Sequence, residues 1–199
     1  MKAVFALGLL MLLGACGAVI QSPFASEEVV RAKAYRHPGA PTITVITMVN
    51  NQSGGGAHSA LLINGSQRVI FDPAGSFQHE IVPERNDVLF GITPRVLQGY
   101  RSAHARSAFH VVSQTIEVTP EQAEIALRLA QENGPVARSF CTQATTGLLR
   151  QVPGFEDIRQ SFFPGNLMRQ IAKRPGVKTD RYFEDDEGGI VEGVAKVKL

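Results

Sequence analysis

Residues 42–49 read Thr-Ile-Thr-Val-Ile-Thr-Met-Val, an unbroken run that is β-branched and apolar enough to be a buried strand. The seven residues that follow, Asn-Asn-Gln-Ser-Gly-Gly-Gly, are flexible loop chemistry. Two more strands are expected over residues 58–63 and 67–72, joined through Asn64-Gly65-Ser66, a strong hairpin signal, and closed by Pro73-Ala74-Gly75. Thr93-Pro94 has the form of an N-cap with proline at the first helical position, which predicts a short helix to about His104. A strand over residues 108–118 comes next. Thr119-Pro120-Glu121-Gln122 repeats the cap signature, and Ala123, Leu127 and Ala130 form a helical stripe that stops at Asn133-Gly134-Pro135. A further helix is expected from near Ser139 to before Pro153, and a weaker one over residues 166–173. The class is α+β, an antiparallel sheet with packed helices.

The N-terminus has a different design. Lys2 precedes an apolar run over residues 3–13, and the small residues Gly14 and Ala15 stand directly before Cys16. That is a signal-peptide layout. The order Leu13-Gly14-Ala15-Cys16 resembles the lipobox of bacterial lipoproteins, which implies lipid on the Cys16 thiol and cleavage before it. Two or more acyl chains hold a protein stably, because each buried methylene adds about 0.8 kcal/mol. The mature chain is therefore expected on a membrane of the bacterial cell envelope. Gly17 stands where inner-membrane retention is associated with aspartate, which points to the outer membrane. The expected organisation is a signal peptide over 1–15, a lipidated tether over 16–40, one domain over 41–175 and a polar tail over 176–199. The stretch Glu184-Asp185-Asp186-Glu187-Gly188-Gly189 is read as a solvated or disordered end.

Twenty Lys and Arg nearly balance eighteen Asp and Glu, with no basic cluster, so nucleic acid is not an expected partner. The chain has two cysteines. Exported compartments favour disulfides, and lipid would consume Cys16, so Cys141 is left without a partner. A lone thiol is either a buried small hydrophobe or a reactive nucleophile.

The position of Cys141 supports the second reading. If Ser139 caps the helix, the thiol sits in the first turn, where free backbone N–H groups and the helix dipole favour a negative charge. Cys141, Ala144, Thr145, Leu148 and Val152 share one face at helical spacing, which directs the thiol toward the sheet and equally suits a packed core. A nucleophile of this kind needs a histidine base. Of five histidines, His37 lies in the tether, His79 and His104 are in contexts that suit solvated side chains, and His110 sits in a strand. His58 differs by opening a strand directly after a glycine-rich loop. If the hairpin loop has an odd number of residues, His58 is expected to face Asp72 across the strands with both side chains on one face, where the acid can orient the ring. A strict two-residue turn would put Asp72 on the other face, with Ser76 and Gln78 as fallback candidates. No metal is expected, since the histidines lack ligand spacing.

Gly56-Ala57-His58-Ser59-Ala60-Leu61-Leu62-Ile63, Val69-Ile70-Phe71-Asp72-Pro73-Ala74-Gly75 and, later, Ser139-Phe140-Cys141-Thr142 together resemble the NlpC-like papain-fold hydrolases in their circularly permuted form. That group includes relatives of lecithin retinol acyltransferase. In the permuted form the histidine strand precedes the cysteine helix, as it does here. The resemblance covers roughly residues 42–152 and rests on order and context. It implies Cys141 as nucleophile, His58 as general base, Asp72 as polar orienter, and an oxyanion site that includes the Cys141 backbone N–H. It further implies a membrane-anchored thiol hydrolase or acyltransferase, acting on cell-wall peptide amides or on lipid and acyl ester bonds. The rival reading is a noncatalytic envelope lipoprotein that binds peptide or lipid with the same fold.

Overall fold

The computed structural model describes residues 24–199. The expected signal peptide and the lipidation site at Cys16 lie outside the described residues. Strand β1, Thr42–Asn50, runs through the middle of the sheet. It pairs on one side with β2, Gly56–Asn64, and on the other with β6, Phe109–Glu117. The short strands β3 (Arg68–Phe71), β4 (Glu84–Arg85), β5 (Val88–Leu89) and β7 (Lys178–Tyr182) complete seven strands in the order β4-β5-β3-β2-β1-β6-β7. Every pairing is antiparallel. The chain is α+β.

Helices cover both faces of this sheet. Val45, Leu61, Ile63 and Phe71 pack with Leu127 of α3 (Pro120–Glu132), Leu148 of α4 (Cys141–Leu149) and Leu167 of α5 (Pro164–Ile171). Ile46, Met48, Leu62 and Ile70 pack on the opposite face with Tyr100 of α2 (Pro94–His104), and Val194 of α6 (Ile190–Lys196) adds to that layer. A sheet covered on both sides buries its central strand from Ile43 to Val49, with the end residues Thr42 and Asn50 half-buried, which is why residues 42–49 show so little polar alternation. Each fully buried aliphatic side chain there contributes about 1.5–3 kcal/mol. The two threonine caps form as their spacing predicts: Thr93 Oγ1 accepts from the Val96 N–H, and Thr119 makes a full capping box with Gln122.

Both ends of the described residues are more ordered than their composition suggests. The segment expected as a tether contains helix α1, Glu27–Lys33, capped by Ser26, with acids in its first turn and bases in its last. Beyond it, the Tyr35 carbonyl accepts from the Arg68 N–H (2.7 Å) and the Ala40 carbonyl from Asn64 Nδ2 (3.0 Å). The expected polar tail supplies β7 and α6, and its acidic stretch, solvated as expected from residue 185 to 189, is held to the fold rather than disordered. Arg106, which is buried, donates to Asp186 Oδ2 (2.8 Å) and lies 3.7 Å from Glu184. The Asp186 carbonyl accepts from the Ser107 N–H (2.8 Å). A buried arginine eighty positions upstream is a partner that a local composition reading cannot see.

Candidate active site

The β2–β3 hairpin decides which side chains meet. Asn64 pairs with Arg68 and Leu61 with Phe71, so the loop has an odd number of residues but spans 65–67, one position later than expected, and His58 does not face Asp72 directly. Continued one step, that register puts Ala60 opposite Asp72. His58 is therefore the diagonal neighbour of Asp72 on the same face. Where β2 meets β1, Met48 pairs with His58 but Val49 with Gly56, which leaves Ala57 as an extra residue just before His58. Such a bulge re-aims the neighbouring side chain. A Cβ at Gly56 would collide with Pro164 and the Gly165 backbone at the start of α5, so this close approach requires glycine.

His58 Nε2 donates to Asp72 Oδ1 at 2.6 Å. The Tyr100 hydroxyl donates to the same carboxylate oxygen at 2.9 Å. Asp72 is buried, which alone would raise its pKa, but the charge and hydrogen bond of His58, with help from the Tyr100 hydroxyl, hold it below the usual carboxylate value. Ionised Asp72 is thus an acceptor on both counts. A Cβ at Gly75 would land on the Asp72 carboxylate, so the Asp-Pro-Ala-Gly turn must end in glycine for the acid to lie where it does. Asp87 ties this turn to the approach of α4, since its Oδ2 accepts from the N–H groups of Ala74 (3.0 Å) and Val136 (2.8 Å).

Cys141 is the first residue of α4. Strand β3 pairs with β2 only as far as Leu61, so the earlier part of β2 has an open edge toward the thiol. The Ser59 backbone N–H donates to Cys141 Sγ there, and the Thr142 hydroxyl lies 3.8 Å from the sulfur. The imidazole of His58 also hydrogen-bonds the thiol. With Nε2 committed to Asp72, Nδ1 is the nitrogen left for sulfur. Burial pushes the Cys141 pKa up, but the hydrogen bond and charge of His58, the Ser59 N–H and Thr142 bring it down to about 7. Burial opposes protonation of His58 as well, yet Asp72 and the thiolate raise its pKa to about 10. A thiolate–imidazolium pair is the favoured state between those values.

The helix start differs in detail from its expectation. Ser139 does not cap α4: it has a left-handed backbone (φ 72°), and Phe140 occupies the cap position without a side-chain bond. The helix is anchored from inside instead. Ser59 Oγ lies 3.1 Å from both Thr142 Oγ1 and Thr145 Oγ1, a buried hydroxyl cluster between β2 and α4. The N–H groups of the first turn remain without intrahelical acceptors, and that of Cys141 lies next to the reacting sulfur.

His104 is also placed differently. It is buried rather than solvated, its Nδ1 donates to the Tyr100 carbonyl (2.7 Å), and its ring stacks parallel to that of His58 at 6.4 Å. Burial lowers its pKa to about 4, so it is neutral beside the charged pair. A cavity of about 270 Å³ opens along His58 and His104, with Met48 and Gly75 in its lining and Ile190 of the C-terminal segment on its wall. Tyr100, His104 and Asp87 carry no sequence signal of a role at the site, whereas Thr142 stands beside Cys141 in the quoted motif and Thr145 shares its helix face. Ser59 likewise stands next to His58 inside the quoted motif.

The structure thus brings Cys141, His58 and Asp72 into one hydrogen-bonded series. His37, His79 and His110 lie elsewhere, paired with Tyr35, Ile81 and Asn51. No family model, curated protein or solved structure matches the chain.

Proposed function

We propose that the protein is a membrane-anchored envelope thiol hydrolase or acyltransferase with a circularly permuted papain-like fold, cleaving amide or ester bonds through Cys141, His58 and Asp72. One observation carries this reading: an ionised buried acid, a histidine bonded to it through Nε2, and a thiol lowered to about 7 by that same histidine. Such a series has the roles of a catalytic triad. The Cys141 thiolate attacks the carbonyl carbon, and the negative oxygen that forms faces the N–H groups at the start of α4. Protonated His58 gives its Nδ1 proton to the departing amine or alcohol as the bond to carbon breaks, leaving a thioester on Cys141. Neutral His58 then takes a proton from water or another acceptor, which attacks the thioester and frees the thiol.

Cell-wall peptide amides and lipid or acyl esters both fit this chemistry. Phe140 and Phe162 pack edge to face beside Cys141 and stay exposed, an apolar rim that supports an acyl group as part of the substrate. The test is to trap the thioester with a p-nitrophenyl ester. The expected result is a burst of one p-nitrophenolate per chain and an acyl mass increase on the Cys141 peptide, both absent in Cys141→Ala. Absence of both the burst and the adduct would overturn the reading. A second reading, a noncatalytic lipoprotein that binds peptide or lipid, is favoured by one fact: Cys141 is only 7% exposed. Slow iodoacetamide labelling at pH 8, at the rate of a buried thiol, would support it.

A further inference from the structure

The sheet face that presents His58 also has a second polar feature, six residues further along β2 and about 20 Å away. Asn64 pairs directly with Arg68 on β3 and with Thr42 on β1, and Thr42 pairs with Glu117 on β6. Directly paired residues project to one side, so these four form a single row across the sheet. They line a groove of about 390 Å³ between the sheet, α2 and the segment leading into β1.

Arg68 is 8% exposed, which puts its cation inside the protein. Among the described residues its Nε has no hydrogen-bond partner, and the influences on its charge are burial and Tyr35, with no carboxylate. A buried cation without an acid is costly, since nothing replaces the water it has lost. The other charges in the groove are already matched: Lys178 with Glu117 at 2.7 Å, and Arg101 with Asp180. Across from Arg68, Asn64 donates through Nδ2 to the Ala40 carbonyl, but its buried Oδ1 accepts nothing. The row therefore offers, on directly paired residues, an Arg68 Nε–H donor and an Asn64 Oδ1 acceptor that both lack a partner among the described residues.

We propose that this groove binds a phosphate group, with Arg68 donating to its oxygens and Asn64 Oδ1 accepting from its hydroxyl. Arginine presents a planar set of donors that matches an oxyanion. A carboxylate would satisfy Arg68 but has no proton for Asn64, whereas hydrogen phosphate or a phosphomonoester monoanion has both. The group can come from a small phosphomonoester or from a phosphomonoester lipid headgroup. The site is separate from Cys141 and stands whether or not the thiol is catalytic.

The test is thermal unfolding of the full chain in detergent, in sodium phosphate, glycerol 3-phosphate or sodium acetate against sodium chloride at equal ionic strength, with sedimentation onto vesicles containing phosphatidic acid. Phosphate and glycerol 3-phosphate are expected to raise Tm saturably and acetate to do little. Binding to the vesicles alone would identify the lipid as the source. Arg68→Met should weaken phosphate binding at least about tenfold, because a hydrogen-bonded charge is lost. Asn64→Asp gives an independent check, since a carboxylate opposite Arg68 should raise Tm without phosphate and remove the response to it. A phosphate response unchanged in both variants, an equal response to acetate, or no response and no vesicle binding would overturn the proposal.

Discussion

His58 donates a hydrogen bond from Nε2 to Asp72 Oδ1 across 2.6 Å, and this bond selects which ring nitrogen is left for Cys141. The orienting acid is a diagonal neighbour on the adjacent strand's continuation, not a direct partner, so the geometry depends on the bulge at Ala57 and on the turn that follows Asp72. Among the groups that lower the Cys141 pKa, His58 contributes most.

Replacing His58 with alanine should raise the Cys141 pKa from about 7 into the ordinary cysteine range near 8.5 or above. Burial is the largest influence on this thiol and acts upward, so once His58 is gone the Ser59 N–H and Thr142 must oppose it alone. The rate of iodoacetamide alkylation measured across pH reports the shift. A pKa that stays near 7 in the variant would remove His58 from the site.

The rate of ester cleavage should follow a bell in pH. Below about 7 the thiol holds its proton and cannot attack; above about 10 His58 has lost the proton it donates. The imidazolium arm is the falling one because its pKa is raised, and the thiolate arm is the rising one because its pKa is lowered. A profile of kcat/KM that keeps rising past pH 10 would contradict the pairing.

Tyr100→Phe removes the second hydrogen bond to Asp72 while leaving the ring packed on Phe77. Loss of a buried hydrogen bond to a charged group costs about 1.5–3 kcal/mol, readable by urea unfolding. Tyr100 is a positioning residue, so the same change should also raise the Cys141 pKa slightly. Destabilisation with no movement of that pKa would give Tyr100 a purely structural role.

Gly75→Ala should displace the Asp72 carboxylate, because the added methyl and the carboxylate would occupy the same space. The expected outcome is a chain that still folds, with Cys141 activation reduced about as far as in Asp72→Asn. Natural thiol reactivity in Gly75→Ala would show that the turn can shift without moving the acid.

Cys16→Ser should leave the unfolding temperature of the domain unchanged and release the chain from membranes, since two acyl chains bind stably and none binds at all. Partition after a high-salt wash is the measurement. A variant that remains with the membrane would contradict lipid anchoring through this cysteine.

By itself the sequence determined the parts whose signals are local. Residues 42–49 could only bury themselves as a strand, Thr93 and Thr119 capped the helices that follow them, and the glycine-rich loop placed His58 at a strand start. Tertiary structure alone decided the rest, because those outcomes depend on partners distant in the chain or on one residue of register. The loop over 65–67 could have had two residues or three, and only the formed sheet set the parity that puts Asp72 with His58. Ser139 looked like a cap, but the hydroxyl cluster of Ser59, Thr142 and Thr145 anchors the helix from the strand eighty residues earlier. The acidic stretch before α6 had the composition of a solvated end, and the buried charge of Arg106 drew it onto the fold. Tyr100 and His104 gave no local sign at all, since a helix stripe records that a side chain is buried and not which carboxylate or imidazole it meets there.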